Sequence, residues 1–522
     1  MDSPSAAGKS RPDQIACVFG IIAGMALFAF FCVRSWPVVV DDTFIIFRYS
    51  RNLVAGFGLA WNQGSPPVEG YTSLPWVMIM AVPFVLRLDP VLFSKALGIF
   101  FTVSSMALTF VFIKEMLAGH DFKSPALLAS AGVVFLGSEL VTGLHAVTGM
   151  ETALFTFFFT LFIYLVTRAA SGAGPKIFPW LALCSLLLGL CRPEGNLVAI
   201  LGLTCLLAVM PGRARTALVK AVALYYFLPG LAYFILRLAY FHVLFPLPFY
   251  LKVGGHRGFT GLYFLTSYFW RLGLYTPFAL IAFVWGGRKF LPAAAAIAGF
   301  LGFFLFPAHI MGYLWRYLVP ATPSILAFSA LGLAVVLAWL KARLAIKSDR
   351  VAFYAAGTIV VLLAAFSVER SVTGDYIKFP RTSAVQMGRA HIALGKYLAS
   401  FAPSSGTPLL AILDAGAVAY YSNWRVIDTF GLNDPHIALT GEREPGYVLA
   451  QNPDLIIIRS SDPQKFVPKN WDSGLYEPGK EKGYARAKVV ELHEGYYLWV
   501  MAVEGTPIYE YMKKWTCAAC SD

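Results

Sequence analysis

The chain has 522 residues, of which 58% are hydrophobic and 14% charged, against roughly 25% charged in ordinary soluble proteins. That composition excludes a soluble globular enzyme and predicts a polytopic α-helical membrane protein. Residues 1–369 hold 26 Lys and Arg against 13 Asp and Glu, while residues 370–522 hold 16 of each. The net charge of +13 therefore lies in the membrane part, where it serves topology rather than nucleic-acid binding.

In chain order, Lys9 and Arg11 precede an apolar run from Ile15 to Val33 with no small-residue cleavage site after it. This predicts an uncleaved first helix with its N-terminus inside. Apolar runs predict eleven spans, at 14–36, 91–113, 125–141, 150–167, 177–191, 195–211, 218–241, 264–287, 290–306, 317–340 and 351–368. Alternate connections hold Lys114 and Lys123, Arg168 and Lys176, Arg213 and Arg215, Arg288 and Lys289, and the group Lys341, Arg343, Lys347 and Arg350. Basic loops on one side mark that side as cytoplasmic, and an odd number of spans puts the C-terminal residues outside. The chain divides accordingly into a membrane domain, 1–369, and an extracytoplasmic soluble domain, 370–522.

The outward segments carry the chemistry. The first, from Pro37 to Pro90, contains DDTFIIFRYSRNLVAGFGLAWNQGSPPVEGYTS and then LPWVMIMAVPFVLRL. Its alternating apolar and polar residues predict amphipathic helices lying on the membrane surface. The other outward segments, HAVTGMET, CRPEG, HVLFPLPFYLKVGGHRG and PAHIMGYLWRYLVP, are rich in aromatic, proline and basic residues. Between Gly195 and Ser348 there is no Asp or Glu. Acids such as Asp41, Asp42, Glu69, Glu139, Glu151 and Glu194 lie on or near the outward side, and carboxylates at membrane depth tend to be functional. Asp41 and Asp42 repel each other, which raises a pKa and suits a proton acceptor. An Asp opening a surface helix serves equally as its cap. Glu151 stands where it would cap the helix after Gly149, and Glu194 where it would pair with Arg192. The cations Arg192, Lys252 and Arg316 suit an anionic lipid phosphate. Snorkelling towards head groups is the simpler alternative, but the aromatic neighbours of Lys252 and Arg316 favour a pocket.

Residues 370–522 predict an α/β domain. PLLAILDAGAVAYYS reads as a strand, a turn and a helix, and RVIDT, PDLIIIRS, AKVVEL and GYYLWVMAVE as further strands. Asp414, Asp428, Asn433 and Asp434 are its most suggestive polar residues, though DAG and GLND are also ordinary turn sequences. Five cysteines sit in apolar segments as small buried residues. Cys517 and Cys520 form a CxxC in the tail that an oxidising compartment would close.

The segment from Asp41 to Thr72, with Asp41, Asp42, Arg48, Tyr49, Arg51, Asn52, Gly58, Leu59, Asn62, Glu69, Gly70, Tyr71 and Thr72, resembles the first outer loop of C-type (GT-C fold) glycosyltransferases. Within that family it looks like the bacterial terminal β-(1→2)-arabinofuranosyltransferase branch. TGMETALF, CRPEGNL, FPLPFYLKVG, RYLVPATP, DAGAVAYYS and IDTFGLND follow in the family's order, so the resemblance runs to about Pro435. Leu247-Pro248 departs from it, because relatives carry Asn-Thr there.

The resemblance implies a bacterial inner-membrane enzyme that takes a sugar, arabinofuranose in this branch, from a polyprenyl-phosphate donor. The acceptor would be an extracytoplasmic polysaccharide, lipid-linked glycan or glycoprotein. Asp41, the position usually read as catalytic in the family, would be the base, with Asp42 orienting it or the acceptor. Lys252, Arg316 and Arg192 would hold the donor phosphate, and Arg48, Glu69, Tyr71, Glu151, Tyr250 and Tyr313 would bind substrate. No DxD motif occurs, and no cofactor is implied; divalent-metal dependence stays open. A lipid or sugar transporter is the competing class. It fits less well, because no internal repeat of the transporter kind is visible.

Overall fold

A computed structural model describes residues 11–118, 125–253, 258–306, 312–344, 358, 362, 364–373, 378–403, 406–441, 444–469, 474–517 and 520–521. The membrane part is helical. Its helices are α1 (Arg11–Ser35), α2 (Asp41–Val54), α3 (Leu74–Leu86), α4 (Pro90–Ala118), α5 (Pro125–Ser138), α6 (Leu140–Val147), α7 (Thr152–Ala170) and α8 (Phe178–Cys191). There follow α9 (Pro193–Val209), α10 (Gly212–Val222), α11 (Leu228–Phe241), α12 (Leu247–Val253), α13 (Gly258–Leu272), α14 (Tyr275–Gly286), α15 (Leu291–Phe303) and α16 (Thr322–Arg343).

Five described helices are long and apolar enough to cross a bilayer, or six if the bent pair α5–α6 is one span. The chain is thus a multi-pass membrane protein. The expected spans at 177–191, 195–211 and 290–306 are the shorter apolar helices α8, α9 and α15. A single π turn, Ala223–Phe227, joins α10 and α11 into one rod. The span expected at 264–287 is broken at Gly273 into α13 and α14. The one expected at 351–368 lies largely outside the described residues. Prolines at or next to the first helical position start α8, α9, α15 and α16, where their missing N–H costs nothing.

The expectation for α2 needs correction. It is not a surface helix with one wet face, because Thr43 to Ser50 are all buried. Side chains three, four and seven residues apart share a face of a helix. Asp41, Phe44, Arg48 and Arg51 make one such face, and it meets the C-terminal domain, where Phe44 packs on Tyr420 and Tyr421. Thr43 and Ser50 make another, donating hydrogen bonds to Thr148 O (3.0 Å) and Val77 O (2.8 Å) in the membrane body. Nothing in residues 41–54 announces the second cover, which is supplied by chain some 370 residues later.

The C-terminal domain is a six-stranded mixed sheet in the order β2-β1-β3-β5-β4-β6. Its strands are β1 (Leu409–Ile412), β2 (Arg425–Asp428), β3 (Leu455–Ser460), β4 (Tyr484–His493), β5 (Tyr496–Val503) and β6 (Cys520–Ser521). β1 runs parallel to β2 and β3, while β5 is antiparallel to both β3 and β4. The five strand runs read from the sequence are all present. β1 and β3 are buried along almost their whole length, the signature of strands covered on both faces. The carboxyl ends of β1 and β2 lead to Asp414 and Asp428, and that end of the sheet lies against α2. Cys517 and Cys520 form a disulfide.

Candidate active site

Four segments that are far apart in sequence, each expected to face outward, converge on one buried charge cluster. Asp42 enters from α2, Glu151 from the turn before α7, Arg192 and Glu194 from the α8–α9 junction, and Arg316 from the turn before α16. Arg316 Nη1 lies 3.6 Å from Asp42 Oδ2, and Arg316 Nη2 lies 3.5 Å from Glu151 Oε1. Arg192 bridges Glu151 (3.1 Å) and Glu194 (2.6 Å). The Glu194–Arg192 pairing read from the sequence is therefore present. Glu151 occupies the cap position of α7 but makes no cap bond there, and its carboxylate goes to the two arginines instead.

Local structure fixes each member. Asp42 is held because the start of α2 is tied to the TGME turn: Val40 N donates to Thr148 O (3.4 Å) and Trp76 Nε1 to Gly149 O (3.1 Å). Lys95 of α4 ties down the α1–α2 linker by donating to the carbonyls of Trp36 and Val38. Arg192 is extended because Pro193 follows it, which disfavours a helical conformation. Arg316 follows Leu314 and Trp315, two non-glycine residues with φ of 46° and 55°. Such left-handed pairs cost of order 1–3 kcal/mol per residue and gather at functional sites.

The cluster is incompletely satisfied. Arg316 is 3% exposed, yet among the described residues its Nε and Nη1 have no hydrogen-bond partner, and neither has the buried hydroxyl of Tyr313 beside it. Buried donors left unmet among the described residues suit an acceptor such as a ligand oxygen. The Asp42 side chain is 23% exposed, the only wet carboxylate of the three that touch the two arginines.

Asp41 points elsewhere. Its two carboxylate oxygens accept from Gly416 N (2.9 Å) and Ala417 N (2.8 Å), at the start of the helix Ala417–Ser422 in the C-terminal domain. A Cβ on Gly416 would lie 2.1 Å from Asp41 O, so only glycine allows this approach. Burial raises the Asp41 pKa to about 6, partly offset by the nearby His391. His391 Nε2 donates to Asp414 Oδ2 at 3.2 Å, and Tyr496 OH donates to the same Asp414 oxygen at 2.5 Å. Burial alone would raise Asp414, but His391 and then Arg459 outweigh it and hold it at about 2. Burial likewise opposes the charge on His391, and Asp414 more than offsets it, so His391 is raised.

Of the other expected site residues, Arg48, Glu69, Tyr71 and Tyr250 make their contacts away from the cluster. Arg48 is a clamp, donating from Nε to Trp61 O (2.8 Å), from Nη1 to Ala419 O, and from Nη2 to Asn62 Oδ1 (3.0 Å) and Trp424 O (2.7 Å). With four bonds spent on the interface, it has little left for a substrate. Glu69 forms a buried ion pair with Arg237 at 2.5 Å. The Tyr71 ring packs on Tyr49 at 5.0 Å, and its buried hydroxyl has no hydrogen-bond partner among the described residues. Tyr250 OH accepts from Phe245 N at 3.2 Å. Lys252 belongs to α12, but its side chain lies outside the described residues. In the C-terminal domain Asp428 accepts from Phe430 N, Gly431 N and Asn433 N, and Asp434 caps the helix Pro435–Thr440, so GLND acts as turn and cap.

Sequence reasoning missed Asn62, whose amide pairs with both Val426 N (2.8 Å) and Val426 O (3.0 Å) as a one-residue extension of the sheet. It also missed the Tyr49–Asn433 bond (3.0 Å), packed so closely on Gly70 that a Cβ there would lie 1.9 Å from Asn433 Oδ1. The signal was present: both residues stand in segments that carried the family resemblance. Among the described residues no three His, Cys, Asp or Glu side chains form a metal-holding group.

Comparison with known proteins places this architecture. The chain shares the GT-C fold expected from its Asp41–Thr72 segment. It superposes on the crystal structure of ArnT from Cupriavidus metallidurans bound to undecaprenyl phosphate with a TM-score of 0.56 and 12% identity, over 94% of this chain and 98% of that one. The archaeal oligosaccharyltransferase AglB from Archaeoglobus fulgidus, in complex with an inhibitory peptide and a dolichol-phosphate, superposes with a TM-score of 0.52 and 12% identity over 94% and 77%. At such identities the likeness is one of fold. In sequence, the terminal β-(1→2)-arabinofuranosyltransferase of Mycobacterium tuberculosis is 27% identical over 261 residues, which cover 47% of this chain and 40% of the relative. Residues 380–503 match a domain of unknown function (DUF8728).

Proposed function

We propose that the protein is a membrane glycosyltransferase that moves a sugar from a polyprenyl-phosphate donor to an acceptor on the extracytoplasmic face. The observation that carries this reading is the unmet donor set of Arg316 and Tyr313 beside the partly exposed Asp42. In this mechanism the Asp42 carboxylate takes the proton from an acceptor hydroxyl. The freed oxygen attacks the anomeric carbon, and the bond from that carbon to the phosphate oxygen breaks. Arg316 stabilises the charge left on the polyprenyl phosphate. Glu151 and Arg192 hold Arg316 in place, and Lys252 is proposed as a further phosphate ligand.

Assigning the base to Asp42 moves the role away from Asp41, whose oxygens are both engaged by backbone N–H groups. The match to an arabinofuranosyltransferase supports arabinofuranose as the transferred sugar. A bacterial inner-membrane location, with the cluster and the C-terminal domain outside, is supported by the basic cytoplasmic connections. The test is incubation of the purified protein with polyprenyl-phosphate arabinofuranose, a hexose counterpart and candidate acceptors, followed by mass spectrometry. Arabinosyl transfer from the lipid donor is the expected result. Turnover of a soluble nucleotide sugar without a lipid carrier would overturn the reading. Cysteine probes at Ser461 and Ala342 test the orientation, with labelling from outside expected only at Ser461.

A further inference from the structure

Two helices are broken at facing positions, and the breaks enclose a cavity. α5 and α6 meet at 66° with Glu139 between them. α13 and α14 are interrupted at Gly273 (φ 54°), two residues after Arg271. Glu139 and Arg271 form an ion pair across the gap, and Ser367 Oγ donates to the other Glu139 oxygen at 2.7 Å. Irregular backbone and charged side chains at membrane depth persist where they line a functional cavity. Here the cavity has a volume of about 430 Å³, within the range of ligand sites. Its walls are mostly apolar, with Phe135, Leu140, Tyr275, Trp315 and Phe366 among them.

Among the described residues that line it, the charge is not balanced. Glu139 is paired with Arg271 and Ser367. Arg271, 8% exposed, keeps its Nη1 buried without a hydrogen-bond partner among the described residues. Arg370, half-buried on the cavity wall, donates to Trp270 O at 3.1 Å and adds a second positive charge. The cavity is distinct from the charge cluster, because the Tyr313–Arg316 turn separates them: Leu314 and Trp315 line the cavity, while Tyr313 and Arg316 face Asp42 and Glu151.

We propose that this cavity binds a phosphate-headed lipid, with the phosphate on Arg271 and Arg370 and an acyl chain among the apolar walls. It is a second lipid site, independent of the proposed donor reaction. The test is native mass spectrometry and titration of the detergent-purified full chain with dioleoyl phosphatidylglycerol, dioleoylglycerol and undecaprenyl phosphate. Phosphatidylglycerol is expected to bind one per chain and about tenfold more tightly than dioleoylglycerol, which lacks the phosphate. R370Q is expected to reduce that preference several-fold while leaving thermal unfolding unchanged. A double variant, E139Q/R271Q, replaces the buried ion pair with a neutral pair of similar length and is expected to abolish the preference. Should that variant fail to fold, R370Q decides alone. Equal binding of phosphatidylglycerol and dioleoylglycerol, or no effect of R370Q, overturns the proposal. One-for-one displacement of phosphatidylglycerol by undecaprenyl phosphate assigns the cavity to the carrier lipid and overturns its independence. Sugar-transfer activity, measured alongside, reports separately on the donor site.

Discussion

The face of α2 that meets the C-terminal domain and the face that meets the membrane body are both buried, yet their polar groups are treated differently. On the first, Arg48 spends four hydrogen bonds on backbone and amide oxygens, and Asp41 accepts from two backbone N–H groups. Arg51 donates from Nη1 and Nη2 to Tyr420 O and Asn423 Oδ1 and leaves only Nε unmet, so among the described residues this side is saturated but for one N–H. On the second, Asp42 forms a 3.6 Å ion pair with Arg316, whose Nε and Nη1 have no hydrogen-bond partner among the described residues. A saturated buried network holds parts together, whereas an unsaturated one is a place prepared for something else. By that criterion the motif that begins at Asp41 is two devices wound on one helix. One docks a domain and the other faces the proposed reaction.

The comparison breaks first if the unsaturated side proves inert. R316Q is expected to lower turnover by about 10²–10³, the usual loss for one charge-stabilising donor, with folding retained. Steady-state kinetics with the lipid donor measures this, and turnover within a few-fold of wild type would refute the assignment of Arg316.

The docking side should instead answer in stability. R48A removes a buried cation with four acceptors and is expected to cost at least about 3 kcal/mol, read as lower thermal stability and faster proteolysis between the domains. E69Q leaves Arg237 buried without its counter-charge, so a loss of roughly 3–5 kcal/mol is expected with the donor KM unchanged in the folded fraction. A raised donor KM at full stability would return Glu69 to the substrate site.

The smallest effect concerns pH. His391 is raised above its ordinary 6.5, so the stability it contributes is fully present below that pH and lost as pH climbs through the folded value. Asp414, ordinarily 3.8 and held at about 2, contributes stability that is present above 3.8 and lost as pH falls towards 2. Thermal unfolding of wild type is therefore expected to weaken above pH 6.5 relative to H391Q, which lacks that limb. Parallel profiles would show that the pair does not support the interface.

The membrane class, the strands of the C-terminal sheet and the polar segments that carry the cluster were legible because each rests on local composition or periodicity. Hydropathy marks spans, alternating or continuous apolar runs mark strands, and the basic connections sort the loops. The splitting of Asp41 from Asp42 was legible only in part. Helix geometry says that neighbours diverge, but which side carries chemistry depends on where Gly416 and Arg316 arrive. Arg48 read as a substrate ligand for the same reason: an arginine in an outer loop looks alike whether it meets a phosphate or four carbonyl and amide oxygens. The Glu139–Arg271 pair was hidden because the helix breaks that bring it together are tertiary features.

The central claim is that Asp42, not Asp41, works on the substrate. Asp→Asn is nearly isosteric, so D41N and D42N can be compared in the same membranes, with turnover, donor binding and thermal stability measured together. D42N is expected to lose about 10²–10⁴ in turnover while keeping donor binding and stability. D41N is expected to keep more than roughly a tenth of wild-type turnover and to lower stability by weakening the contact with Gly416 and Ala417. The reverse pattern, with D41N inactive and stable and D42N active, would contradict the account.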